Sequence, residues 1–185
     1  TADFLKEAKN ATVVSSRVAN TFLKSIVNDD FPHMIVGDGD SIDLGGKTLK
    51  FINAPHLHWP DSMFTYLEED NILFPGDVFG CHFCPEGHVI FDDEVEMDFV
   101  PAQKYYFDVI MSPFKEHMLK AIDKIRDLDI DIICSGHGPI LRTDPWATID
   151  RVEGWSKDIL DKNDPKKIFI AYVSAYGNTQ RIGEA

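Results

Sequence analysis

Three residues that can bind metal follow predicted strands in this chain of 185 residues. His58 begins the segment His-Trp-Pro-Asp-Ser-Met, Asp77 follows a Pro-Gly pair, and His137 lies between two glycines. Taken singly, each has a plainer explanation, because a lone histidine is most often a core residue and an aspartate after Pro-Gly is an ordinary turn residue. Borderline metals accept imidazole and carboxylate together. Three such residues at successive strand ends therefore favour a shared metal site.

A second candidate site lies near the end of the sequence. The apolar segment 168–173 is typical of a buried strand, and it runs into the small, hydroxyl-rich segment 174–179. Hydroxyls and backbone N–H groups at such a strand-to-helix turn can bind the oxygens of a phosphate group. This pattern indicates a phosphate loop after the metal site.

The elements that would position these residues alternate between strands and helices. Ser16 is a candidate N-cap for a helix over 17–26, and Thr143 or Asp144, with Pro145, is a strong start for a helix over 146–160. Apolar spacing predicts one long helix over 103–128, which Pro113 should kink or split. The remaining predictions are a short helix over 2–9, strands over 12–15, 42–44, 48–52, 63–67, 71–74 and 129–133, and irregular chain over 75–98.

The composition excludes several classes of function. A formal net charge of −13 argues against nucleic acid as a partner, because phosphates need a basic surface. No apolar run approaches the roughly 20 residues that span a membrane. Three cysteines, an odd number, indicate reduced thiols in a cytoplasmic protein.

Four motifs together resemble those of flavodiiron proteins. They are His-Trp-Pro-Asp-Ser-Met at 58–63, Leu-Phe-Pro-Gly-Asp-Val-Phe-Gly at 73–80, Ser-Gly-His-Gly-Pro at 135–139 and Tyr-Gly-Asn-Thr at 176–179. The resemblance covers essentially the whole chain. It implies an α/β fold in which the C-terminal part of a metallo-β-lactamase-like αββα sandwich (1–161) is joined by a linker (162–167) to the first strand and phosphate loop of a flavodoxin-like domain (168–185).

The resemblance also implies roles for individual residues. His58 would bind one iron, His137 the other, and the Asp77 carboxylate would bridge both. Trp59, Asp61 and Ser62 would support or pack around them. The loop around the phosphate of FMN would be formed by Ser174, Tyr176, Gly177, Asn178 and Thr179.

The chain departs from the family pattern at both ends. A further ligand cluster, of the type His-x-Glu-x-Asp-His, is expected just upstream of the helix at 2–9, and the first histidine present is His33. The flavin-ring loops are expected beyond Ala185. We therefore expect an internal fragment that is inactive by itself and holds metal weakly or not at all.

The implied function is reduction of dioxygen to water, of nitric oxide to nitrous oxide, or of both, at a di-iron centre supplied with electrons by FMN. A donor such as rubredoxin or a flavin/NADH reductase, and a head-to-tail homodimer, are implied with it. One alternative is a metallo-β-lactamase-fold hydrolase, in which paired zinc ions activate water. Another is a flavodoxin-like electron-transfer module attached to a degenerate scaffold.

Several other residues could do chemistry. His56 could pair with His58, and His82 and His88 could line the mouth of the iron pocket. Cys81 and Cys84 have C-x-x-C spacing, but no second pair exists to complete a zinc site, and partly buried structural thiols are favoured. The acidic run 92–98 is either a hard-cation site or, more simply, a solvated loop, and His117 is expected at the surface of the long helix.

Overall fold

The computed structural model describes residues 2–87, 89–157, 174 and 176–184. The helices within these ranges are α1 (Ala2–Glu7), α2 (Arg17–Val27), α3 (Val100–Tyr106), α4 (Lys115–Ile125), α5 (Pro145–Lys157) and α6 (Asn178–Gly183). The strands are β1 (Val13–Ser15), β2 (His33–Ile35), β3 (Ser41–Asp43), β4 (Thr48–Asn53), β5 (Met63–Leu67), β6 (Ile72–Phe74) and β7 (Ile132–Ile133). None of the helices in these ranges has the length and apolar character needed to cross a bilayer.

The strands form two sheets. Strands β1 and β2 pair in parallel, and the larger sheet has the order β3-β4-β5-β6-β7. Its neighbours are antiparallel except for β6 and β7, which run in parallel. Because β4 and β6 are each antiparallel to β5, the strands β4, β6 and β7 all point the same way. Their carboxyl ends therefore meet at one edge of the sheet.

One hydrophobic core joins the larger sheet to the helices. The sheet contributes Phe64, Leu73 and Ile133, each with no exposed surface. Helix α4 contributes Met118, Ile122 and Ile125 at the three- and four-residue spacing of one helix face, and Ile149 and Val152 of α5 complete the contact. The strand ends are thus fixed by a dry core beneath them.

The α/β class and most of the predicted elements are confirmed. Ser16 caps α2, since its Oγ accepts a hydrogen bond from the backbone N–H of Ala19 at 3.2 Å. The predicted hairpin over 63–74 forms, with a short 3₁₀ turn at Glu68–Asp70. The predicted linker (162–167) and strand (168–173) lie outside the described residues.

The predicted helix over 103–128 is split, which is one of the two outcomes expected from Pro113. Helix α3 begins earlier than predicted, at Val100, and a π-helical turn (Phe107–Met111) and a 3₁₀ turn (Ser112–Phe114) separate it from α4. Pro113 explains the break, because proline lacks the N–H of the helical ladder and its ring displaces the preceding turn. The interruption is thus a change of helix type and not only a kink.

Three further details differ from the sequence predictions. Strand β2 was not predicted, helix α1 stops at Glu7, and β7 is shorter than the predicted 129–133. The acidic run is also more than a solvated loop: Arg142 Nε lies 2.8 Å from Asp93 Oδ1, and its backbone N–H donates to Asp92 at 2.9 Å. These carboxylates fix the segment that leads from His137 to α5.

The contribution of the Tyr66 hydroxyl to the stability of the β5–β6 hairpin can be tested by mutation. Its hydroxyl donates to the carbonyl of Asp129 at 2.6 Å, and burial, followed by the charge of Asp129, raises its pKa. We expect Tyr66→Phe to lower the free energy of unfolding by about 1 kcal/mol at neutral pH, because the part-buried carbonyl of Asp129 loses its donor. Because the pKa of Tyr66 is raised in the folded protein, the protonated phenol contributes stability below the unfolded-state pKa of about 10. This contribution is lost as the pH rises through the pKa of the folded state.

The variant should therefore lose less stability than the parent chain between pH 9 and about 11. Urea unfolding across this range measures both effects. An alkaline loss of stability that is the same in the variant and the parent would contradict the assignment to Tyr66.

Candidate metal centre

The three predicted metal-binding residues lie at one edge of the larger sheet. His58 is in the loop after β4, Asp77 is in the turn after β6, and His137 is in the turn after β7. Backbone hydrogen bonds join the last two turns, because Gly136 N–H donates to the carbonyl of Gly76 at 2.7 Å. The parallel direction of the three strands is what brings the residues together.

Asp77 lies between the two imidazoles. His58 Nε2 is 3.4 Å from Asp77 Oδ2, and His137 Nε2 is 3.3 Å from Asp77 Oδ1. Each carboxylate oxygen thus faces a different histidine. The side chains are 31%, 33% and 45% exposed for His58, Asp77 and His137, so the donor atoms remain open to an incoming ion.

The spacing of these donors fits metal ligation. Two donor atoms held about 2.0–2.2 Å from one metal lie roughly 2.9–3.5 Å apart at angles near 90–110°. Both measured N···O distances fall in this range. No group of three or more His, Cys, Asp or Glu side chains in the described ranges could hold one ion between them. The arrangement therefore offers two donors to each of two ions, with the carboxylate shared.

Two glycines allow the turns to pack this closely. A Cβ on Gly138, where φ is +82°, would lie 2.7 Å from Cys81 Sγ and 3.0 Å from the Cys81 carbonyl oxygen. A Cβ on Gly80 would lie 2.7 Å from the carbonyl oxygen of His137. Any larger residue would push the His137 turn away from the Asp77 turn.

The loop that carries His58 is fixed by serine hydroxyls. Ser62 Oγ is within hydrogen-bond distance of the carbonyls of Leu57, at 2.8 Å, and Trp59, at 2.9 Å. Ser16, the cap of α2, donates to the carbonyl of Asp61 at 3.1 Å. These bonds hold the backbone on both sides of His58 and give the predicted supporting residues a structural role. The indole of Trp59 is 59% exposed, with its ring centroid 5.9 Å from that of His58.

Two further rings lie beside His137. The imidazole centroid of His82 is 5.2 Å away, and the buried ring of Tyr106 is 6.2 Å away. Burial, followed by the charges of Asp77 and Cys81, raises the pKa of Tyr106 to about 12, so this phenol stays protonated. Tyr106 was missed in the sequence because helical spacing pointed to its neighbour Phe107 as the core residue.

A cavity of about 570 Å³ opens next to Asp77. Its walls are mainly apolar and come from α2 and from the His58 loop, including Phe22, Leu57 and Trp59. An apolar cavity suits small uncharged molecules, and Asp77 in its lining brings them to the shared carboxylate.

The predicted phosphate loop is described at Ser174 and over 176–184. Gly177, with φ of +76°, precedes helix α6, which begins at Asn178 and includes Thr179. Tyr176 is exposed, whereas the hydroxyl of Ser174 is buried and has no hydrogen-bond partner in the described part of the chain. A buried hydroxyl without a partner fits a site whose ligand supplies the acceptor.

The remaining candidates have different outcomes. The three cysteines are free thiols, but Cys84 is exposed, which corrects its interpretation as a partly buried thiol. Cys81 is buried, and burial raises the pKa of its thiol to about 11. His117 is partly exposed at the surface of α4, as predicted, and its ring packs against that of His56. His88 lies outside the described residues.

Comparison with known proteins identifies the family. The family model described as ODP family beta lactamase matches residues 1–138, so the chain belongs to that family. Its relatives are flavodiiron and diflavin flavoproteins, which confirms the resemblance seen in the motifs. The flavo-diiron protein FprA2 of Clostridium acetobutylicum is 41% identical over 179 residues, and the type A flavoprotein fprA of Rhodobacter capsulatus is 38% identical over 188.

Solved structures give the same family. The flavodiiron protein of Giardia intestinalis has a TM-score of 0.78 and 35% sequence identity, over 84% of this chain and 38% of its own. The alignments with the Clostridium and Rhodobacter proteins cover 94% and 99% of this chain but only 44% and 42% of those proteins. The chain therefore spans less than half the length of these relatives.

Proposed function

We propose that this chain supplies three of the ligands of a di-iron centre in a flavodiiron oxidoreductase. His58 would hold one iron, His137 the other, and Asp77 would bridge them. The protein would reduce dioxygen to water, nitric oxide to nitrous oxide, or both. The domain limits inferred from the sequence (1–161, 162–167 and 168–185) are part of this proposal.

One observation carries it: the two oxygens of the Asp77 carboxylate each face a different imidazole nitrogen, at 3.4 and 3.3 Å. No group of three or more His, Cys, Asp or Glu side chains within the described ranges is placed to hold a single ion. A carboxylate flanked in this way suits two cations, because its negative charge offsets their mutual repulsion and its two oxygens serve one cation each.

The surrounding residues of the chain have defined tasks. The hydroxyl of Ser62 and the cap at Ser16 orient the His58 loop, and the glycine turns position His137. The protonated phenol of Tyr106 and the imidazole of His82 lie beside His137, where they can donate hydrogen bonds to a bound oxygen atom. The iron pair, when bound, supplies the site that binds and reduces the diatomic gas.

The phosphate loop extends the proposal to FMN. Ser174, Tyr176, Gly177, Asn178 and Thr179 would surround its phosphate, and this role is supported by the buried hydroxyl of Ser174, which has no hydrogen-bond partner among the described residues. FMN held there would supply single electrons. The electron donor (rubredoxin or a flavin/NADH reductase), the head-to-tail homodimer and the cytoplasmic location stay predictions.

The test uses the product of the complete open reading frame that contains this sequence, expressed under anaerobic conditions. We expect about two irons and one FMN for each polypeptide, with consumption of dioxygen, nitric oxide or both when reductant is supplied. A Tyr106→Phe variant should retain its iron and consume the gas more slowly. A protein with no iron and no gas consumption would overturn the proposal.

The di-zinc hydrolase remains the alternative because Asp77 and His137 would serve zinc equally well. Metal analysis separates the two functions. Zinc in place of iron, with hydrolysis and no gas consumption, would favour the hydrolase. FMN bound without any metal would favour the third possibility, an electron-transfer module on a degenerate scaffold.

A further inference from the structure

A second pair of histidines lies on the opposite side of the His58 loop from Asp77. His56 faces helix α4, where its imidazole meets that of His117, with the ring centroids 4.7 Å apart and the ring planes at 58°. His58, two residues later, faces Asp77 instead. Leu57 between them is buried in the core, so the two histidines leave the loop towards different neighbours.

The backbone holds His56 in this position. Its φ is +66°, in the left-handed region that few non-glycine residues adopt, and its N–H donates to the carbonyl of Trp59 at 2.8 Å. A conformation of this kind persists only where the surroundings fix it. The loop therefore presents the His56 ring to α4 without needing to rearrange.

Both imidazoles are available as ligands. The two rings pack against each other, and no side-chain hydrogen bond or ion pair from either ring is seen within the described ranges.

The separation of the rings matches a shared ion. Two imidazoles bound at about 2.0–2.1 Å to one metal have ring centroids roughly 4.5–5.2 Å apart. The measured separation falls within this range, and the tilt excludes face-to-face stacking. His56 is exposed, so water can complete the coordination of an ion held by the pair.

We propose that His56 and His117 form a second, two-imidazole metal site, distinct from the His58–Asp77–His137 centre, for a borderline divalent cation such as Zn²⁺. Imidazole nitrogen is a preferred ligand of such ions. The bound ion would join the His58 loop to helix α4. It would thereby fix the backbone from which His58 extends.

The test is a Zn²⁺ titration of the 185-residue chain carrying Asp77→Ala, which removes the shared carboxylate of the first site. Histidine side-chain NMR reports which rings bind. We expect one equivalent of Zn²⁺ with shifts at His56 and His117 together, and an affinity at least tenfold lower in His56→Gln and in His117→Gln. The matched control is His33→Gln, which removes a histidine on β2 and should leave the affinity unchanged.

Thermal unfolding of each variant without zinc shows whether the fold is intact. Equal affinities in His117→Gln and His33→Gln would overturn the site, and so would a loss in only one of the two paired variants. Shifts confined to His82 and His137 would also overturn it. None of these outcomes depends on iron, so failure here is distinguishable from failure of the proposed function.

Discussion

Replacing Asp77 with alanine is expected to abolish binding at both positions of the proposed di-iron site, whereas His58→Ala and His137→Ala should each remove one. The reason is the shared carboxylate, whose two oxygens lie 3.4 and 3.3 Å from the two imidazole nitrogens. Loss of a supporting outer-shell group typically reduces metal affinity about 10- to 100-fold. Loss of a donor that both ions share should reduce the affinity for each ion by more than this factor.

Equilibrium titration with Co²⁺ under argon measures the number of bound ions from the visible spectrum. The parent for this titration is the 185-residue chain carrying His117→Gln, which disables the proposed His56–His117 site so that only the first site is counted. We expect two weak equivalents in the parent chain, removed by chelation and gel filtration, because each ion receives only two donors in the described ranges. Asp127→Ala, which removes an exposed carboxylate after α4, is the control and should bind as the parent does. One ion remaining in Asp77→Ala would contradict a bridging role, and an iron pair that survives gel filtration would contradict weak binding.

The proximity of His58, Asp77 and His137 could be predicted from the sequence because it depends on strand ends. His58, Asp77 and His137 each follow an apolar strand and lie beside turn residues, and strands that run the same way place such residues at one edge. The helix cap at Ser16 was predictable for a related reason, since it depends on a few neighbouring residues. Features that depend on a few neighbouring residues can therefore be inferred from the sequence.

Features that depend on distant contacts could not be predicted. Strand β2 is identified by its pairing with β1, because His33, Met34 and Ile35 show no alternation of buried and exposed positions. The contact between His56 and His117 joins a loop to a helix 61 residues later. Neither residue carries a local signal for the other, so only the packed structure brings them together.

Replacing Gly138 with alanine is expected to be the most damaging single change near the site. The new Cβ would lie 2.7 Å from Cys81 Sγ and 3.0 Å from the Cys81 carbonyl oxygen, and the residue would also adopt a φ of +82°. The left-handed conformation costs about 1–2 kcal/mol for a residue with a Cβ. Overpacking in a rigid region adds about 1–3 kcal/mol.

Gly39→Ala is a matched control, because Gly39 has the same φ of +82° and a Cβ there would have no heavy atom within 4 Å. Urea unfolding should show a loss of about 1 kcal/mol for Gly39→Ala and at least about 3 kcal/mol for Gly138→Ala. The difference between the two losses of stability measures the steric contact alone, since the backbone strain is common to both variants. Because the His137 turn must move to relieve that contact, Gly138→Ala should also lose Co²⁺ binding at the His137 position while Gly39→Ala retains it. Equal losses of stability in the two variants would show that the His137 turn can move without a free-energy cost. The close packing of the Cys81 and His137 segments would then have no part in positioning His137.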